Sequence, residues 1–224
     1  IPDGVTSIGS YAFGGCSGLT SITIPDGVTS IGGNAFSNCR GLRSINIPAG
    51  ITSIGNSVFS GCSGLPNITI PTGVTSIARA AFRDCESLTS ITIPDGVTII
   101  EDSVFSGCRG LTSITFPDGV TSIGYQAFSD CEGLTSLVIP ATVSRIDDYA
   151  FSGCVELTAI EIPSAVNIIG TGAFCGCAKL NDAVFRGDAP NLFYSYVFDD
   201  TSPGFTISYR SRSIGFTSPT WNGY

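Results

Sequence analysis

The sequence predicts a mainly β solenoid of stacked turns, and three observations carry that expectation. Eight cysteines, Cys16, Cys39, Cys62, Cys85, Cys108, Cys131, Cys154 and Cys177, follow one another at intervals of 23 residues without insertion or deletion. Apolar residues recur in the same phase, as in Leu19, Ile22, Ile24, Val28, Ile31 and Phe36. Serine, threonine and a Pro-x-Gly punctuation such as Pro25-Asp26-Gly27 separate them. A fixed period of this size means that each unit is one supersecondary element that cannot bury its apolar side alone and must stack on its neighbours.

The unit reads L-x-x-I-x-I-P-x-x-V-x-x-I-x-x-x-A-F-x-x-C-x-x, and each part has a physical reading. Ile22 and Ile24 alternate with Ser21 and Thr23, so the two pairs face opposite sides of a short strand. Pro25 ends that strand because it has no N–H to give to a ladder. Ile24-Pro25-Asp26-Gly27 carries Pro second and Gly fourth, which suits a type I turn. Val28-Thr29-Ser30-Ile31 is β-prone and is expected to form a second short strand. Ala35 to Cys39 is too short for a full helix and is expected to form one helical or 3₁₀ turn. Stacking at roughly 4.8 Å per turn then closes one continuous parallel core, with the phenylalanine column, Phe13 to Phe174, on the side away from the main strand.

A period of 20 to 29 residues opening with L-x-x-L-x-L is the leucine-rich-repeat signature. Ile93-Pro94-Asp95-Gly96-Val97 and Ala127-Phe128-Ser129-Asp130-Cys131 show the I-P-x-x-V and A-F-x-x-C marks that make the chain resemble the BspA-like leucine-rich-repeat family of bacterial surfaces and some protists. The resemblance implies a right-handed leucine-rich-repeat solenoid with parallel strands and short helical or 3₁₀ turns. It also implies a secreted or cell-surface module that binds proteins or mediates adhesion, with no shared catalytic residues. The asparagine ladder of ordinary leucine-rich repeats is absent.

The domain expectation is a solenoid over residues 1–185, its first repeat incomplete, followed by a C-terminal capping segment over 186–224. Past Phe185 the pattern fades, although Tyr196-Val197-Phe198 resembles another A-F turn and Phe205 to Tyr209 another strand. The tail holds Phe216, Trp221 and Tyr224, expected to cover the last repeat, since an open end exposes core and unpaired strand edges. Ile1 to Val5 matches Ile24 to Val28, so the chain opens inside a repeat and is expected to be part of something longer.

Composition narrows function by exclusion. The net charge is −8, which disfavours nucleic acid and anionic lipid, both of which need clustered Lys and Arg. Charged residues are only 12 % of the chain, so it is no disordered acidic tail. No apolar run approaches the length of a membrane span. With no histidine there is no Ser-His-Asp or Cys-His pair, and no cofactor motif appears. The paired carboxylates Glu101-Asp102, Asp147-Asp148 and Asp199-Asp200 are adjacent in sequence and diverge on a strand or turn, so they read as solvated charges. Asp-Gly pairs at Asp3, Asp26, Asp95 and Asp118 are turn residues without calcium-loop spacing.

A line of cysteines cannot converge on one zinc ion, and ladder neighbours sit slightly too far apart to bridge. The column is therefore expected to be buried, reduced thiols, with Cys175, which replaces a serine of other repeats, as the accessible one. What remains is the outer strand face. Ser21, Thr23, Ser44, Asn46, Asn67, Thr69, Ser90, Thr92, Ser113, Thr115 and Ser136 are expected to form a ribbon of small polar side chains, with Arg40, Arg43, Arg79, Arg83, Arg109, Glu86 and Glu132 along the rims. The functional expectation is a monomeric extracellular or cell-surface module for protein or glycoprotein recognition and adhesion, without catalysis or cofactor. A structural spacer is the alternative. An ice-binding Ser/Thr ladder comes third, since Asn46, Val138 and Glu161 interrupt the row.

Overall fold

The computed structural model describes residues 1–216, so Trp221 and Tyr224 of the expected cap lie outside the described residues. Two parallel ladders run along the molecule. The main-strand ladder is formed by Ser21–Ile22, Ser44–Ile45, Ser90–Thr92, Ser113–Thr115, Ala159–Ile162, Asp182–Phe185 and Thr206–Tyr209. The second comprises nine strands: Ser7–Ile8, Ser30–Ile31, Ser53–Ile54, Ser76–Ile77, Ile99–Ile100, Ser122–Ile123, Arg145–Ile146, Ile168–Ile169 and Leu192–Phe193. The register is one repeat, with Ser21 opposite Ser44 and Ser122 opposite Arg145. Proline breaks the main ladder at Pro66, which has no N–H to give to the turn before it.

The boundary at 185 falls at the end of a main strand, and stacking continues beyond it. Asp182 pairs with Thr206 and Ile168 with Leu192, with one extra residue in the advance, and Phe198 continues the phenylalanine column. Residues 186–209 thus complete a further turn of the stack.

The proline turn is shifted by one residue from its expected place. Val28 N donates to Pro25 O at 3.0 Å, and Val97 N to Pro94 O at the same distance, so Pro opens the turn and Asp-Gly occupies its centre. Proline's carbonyl can accept where its nitrogen cannot donate, which leaves Val28 free to begin the second strand.

The Ala-Phe segment differs more. It forms no helix of either kind among the described residues. Its N–H groups alternate: Ala35 and Ser37 donate within the turn, to Gly32 O and Asn34 O, whereas Asn34, Phe36 and Asn38 donate to Asn56, Val58 and Ser60 of the next turn. A helix would use every N–H locally; here half are surrendered to stacking. The alternation needs two left-handed residues per turn, such as Asn34 at φ 58° and Asn38 at φ 57°. The second of these sites alternates between Asx and Gly: Asn38, Gly61, Asp84, Gly107, Asp130, Gly153. Asn, Asp and Gly bear this conformation most cheaply. Space sets the order, because a Cβ on Gly61 would come 2.5 Å from Asn38 Oδ1, and Gly107 meets Asp84 in the same way.

The core is a set of columns. Nine phenylalanine rings from Phe13 to Phe198 stack with centroids 5.2–5.7 Å apart and planes within 17°. That offset spacing is favourable for aromatic rings. Beside them runs the cysteine column, fully buried from Cys39 to Cys177. Each thiol donates to the carbonyl of the phenylalanine one turn back: Cys62 Sγ to Phe36 O at 3.1 Å, Cys85 to Phe59 at 3.2 Å, Cys154 to Phe128 at 3.3 Å. A thiol therefore fills a small apolar site and also satisfies a carbonyl. All nine cysteines are free, and Cys16 is exposed in addition to the half-buried Cys175. The expectation of a single accessible thiol is corrected on that point: Cys16, in the first described turn, reaches solvent.

Burial pushes the thiols of Cys62, Cys108 and Cys177 up to about 12, and those of Cys85, Cys131 and Cys154 well above their ordinary 9.0. Between those values the unfolded chain has released protons that the folded chain still holds, so folding stability falls as pH rises.

Three outcomes follow from the columns. Phe105→Ala, between Phe82 and Phe128, is expected to cost about 3–5 kcal/mol in urea unfolding. A small thiol reagent under native conditions should modify Cys16 and Cys175 and leave the seven buried cysteines untouched until denaturant is added; fast native modification of any of the seven would contradict the buried column. Stability should be level between pH 7 and 9 and then drop by about 1.4 kcal/mol per pH unit for each buried thiol. Thermal melts between pH 7 and 11 measure this, and a flat profile would contradict it.

Candidate functional site

The main strand presents the first and third residues of each S-I-T-I-type segment to solvent because the second and fourth face the core. Ile24, Ile47, Ile70 and Ile93 are buried, while Ser21, Thr23, Ser44, Asn46, Asn67, Thr69, Ser90, Thr92, Ser113, Thr115 and Ser136 are all exposed. The ladder brings them into rows, with Ser90 opposite Ser113 and Thr92 opposite Thr115. Beside the rows, Thr89 and Thr112 hydroxyls donate to the backbone carbonyls of Pro66 and Thr89 in the preceding turn. Part of the Ser/Thr richness therefore serves stacking.

The face is not uniform along its length. In the earlier turns it is indented around Ser21 to Asn46, with a volume of about 290 Å³, and around Asn67 to Pro94, about 480 Å³. Both are lined by small polar residues over isoleucine. Further along, a depression of about 450 Å³ has different walls, including Val138, Ala159, Glu161, Val184 and Arg186. Val138 is 80 % exposed, more than any other large apolar side chain among the described residues. Arg186 clasps Glu161 through Nε and Nη2, each 2.5 Å from a carboxylate oxygen. These hydrogen bonds hold the Glu161 carboxyl below its ordinary value. The depression thus combines an exposed aliphatic wall with a fixed, bidentate ion pair.

The rim residues are largely engaged with their own chain. Arg43 donates to Gly64 O at 2.8 Å, Arg83 pairs with Asp84, and Arg109 with Glu132 at 3.2 Å. Arg40 lines a polar notch of about 350 Å³ with Asn38, Ser63, Asp84 and Glu86.

The adjacent carboxylates serve the backbone. Asp102 Oδ1 accepts Tyr125 N–H at 3.0 Å and Asp148 Oδ1 accepts Thr171 N–H at 2.7 Å, each tying one turn to the next, while Asp147 pairs with Arg145. No group of His, Cys, Asp and Glu suited to a metal ion occurs among the described residues, and no described helix is long and apolar enough to cross a membrane.

The depression at Val138 was half visible in the sequence. Val138 and Glu161 stand out as breaks in the hydroxyl row, but Val184 and Arg186 belong to it only once the strand at Asp182–Phe185 is seen to stack on Ala159–Ile162.

The comparisons with known proteins agree with this architecture. A leucine-rich-repeat protein from Bacteroides ovatus has 32 % identity and a TM-score of 0.74 over 92 % of this chain and 59 % of its own. A leucine-rich cell surface protein from Faecalibacterium prausnitzii has 34 % identity and a TM-score of 0.67, covering 92 % and 65 %. The leucine-rich-repeat protein of T. pallidum has 26 % identity and a TM-score of 0.59, covering 79 % and 72 %. The chain therefore spans less than two thirds of the length of the first two. No curated protein matches it. The model of the BspA type leucine rich repeat region matches residues 1–111 and 75–203, in six copies. With its repeat period, its thiol and phenylalanine columns and its stacked parallel ladders, the chain belongs to the BspA-type leucine-rich-repeat family.

Proposed function

We propose that the chain is a non-catalytic recognition module of an extracellular or cell-surface protein, and that it contacts a protein or glycoprotein partner through its main-strand face. The observation that carries this reading is the clustering of departures from the repeat. A spacer needs only uniform turns, whereas here the Ser/Thr rows give way within three turns to Val138, Ala159, Glu161, Val184 and Arg186 around one depression. An exposed aliphatic wall beside a clasped arginine suits contact with another protein, which buries apolar area at its centre and seats charge pairs around it. The Ser/Thr rows, Ser21 to Ser136, extend that contact as a polar flank. The surface setting is supported by the similarity to the leucine-rich cell surface protein of F. prausnitzii.

Immobilised chain probed with extracellular-matrix proteins, mucins, glycans and bacterial surface proteins tests the reading. Val138→Lys with Val184→Lys should weaken capture of the partner by at least about tenfold while leaving the melting temperature nearly unchanged, since surface changes cost within about 0.5 kcal/mol. Thr69→Lys, Thr92→Lys and Thr115→Lys together should weaken it less. Capture unaffected by either set would remove the strand face as the contact surface. Absence of any capture would favour the spacer.

A further inference from the structure

A second surface lies away from the strand face, at the corner between the second strand and the Ala-Phe segment. Four of the six tyrosines among the described residues gather there: Tyr125, Tyr149, Tyr194 and Tyr196. They are 40 %, 37 %, 50 % and 63 % exposed. The Tyr125 and Tyr149 rings stand perpendicular, with centroids 6.3 Å apart. The Tyr149 ring lies over Gly172, where an added Cβ would fall 2.7 Å from it, so the ring crosses that turn towards the one carrying Tyr196. The same corners carry Glu101, Asp102, Asp147 and Asp148, against two cations: Arg145, already paired with Asp147, and Arg79, one turn before Asp102.

We propose that this corner docks a cationic, arginine- or lysine-bearing segment of a partner protein. Tyrosine faces are electron-rich and attract guanidinium and ammonium groups lying over them. The carboxylates add charge of the matching sign, and the chain as a whole carries −8, which draws a basic partner in from a distance. Asp102 and Asp148 are fixed by the backbone N–H groups they accept, so the charges are pre-positioned and need no ordering on contact. The surface is separate from the strand face, and its test is independent of that reading.

The probe is a fluorescently labelled peptide of alternating arginine and glycine, followed by anisotropy against the full chain at about 50 mM salt, where screening is modest. Tyr125→Leu with Tyr194→Leu keeps the apolar bulk and removes the ring faces; it should weaken binding by at least about tenfold. Glu101→Gln with Asp102→Asn should weaken binding and flatten its salt dependence, whereas Asp95→Asn with Asp118→Asn, away from the corner, should change neither. A peptide with citrulline in place of arginine should not bind. Binding that survives the tyrosine changes, or that falls equally with Asp95 and Asp118, would reduce the contact to net-charge attraction and overturn the proposal. Equal binding of the citrulline peptide, retention of neutral oligosaccharides instead of the peptide, or no peptide binding at all would overturn it as well.

Discussion

Everything in this molecule depends on the surrender of backbone hydrogen bonds to the neighbouring turn. A short segment such as Ser21–Ile22 has no partner within its own repeat. Only a second copy, displaced by one repeat, completes it. The Ala-Phe segment makes the same bargain, giving alternate N–H groups to the next turn. Parallel pairing of this kind requires that every turn have nearly the same length, because a change in one would shift the register of every column at once. The unbroken spacing of the cysteines is the sequence's record of that requirement.

Within that constraint the choice of side chains becomes intelligible. A column position sees itself above and below, so it must be filled by a residue that packs well on its own copy. Phenylalanine does so by offset stacking. Cysteine does so because it fits the narrow space and its thiol reaches the carbonyl of the preceding phenylalanine. No charge could be repeated along such a column without mutual repulsion in a dry core, and none is: among the described residues the buried positions are apolar or thiol, apart from the neutral hydroxyls of Ser37, Ser103, Ser106 and Ser129.

The repeat, its two ladders, the inward Ile and Leu, the buried thiols and the outward Ser/Thr rows were all legible in the sequence, because each is a periodic property. Features that depend on hydrogen-bond direction were less so. The proline turn and the Ala-Phe segment were misjudged in detail, since composition does not say whether an N–H such as that of Asn34 bonds within its turn or to the next. The continuation past Phe185 was obscured by a single inserted residue between Phe174 and Phe198, which moves the motif by one place without disturbing the stack. The depression beside Val138 was hidden for the same reason, as half its wall comes from the strand that the fading pattern obscured.

The alternation of Asx and Gly at the second left-handed site has a consequence for how such a chain can lengthen. From Asn38 to Gly153 the two residue types take strict turns, because each Asx side chain leans into space that the next turn must leave empty. Removing or copying a single repeat in this stretch would bring two Asx residues onto adjacent turns, or leave two glycines together as at Gly153 and Gly176. Copying a pair of repeats disturbs nothing. The smallest self-consistent building block of this region is thus a doublet of turns, and growth or shrinkage by doublets is the change the backbone tolerates without repacking.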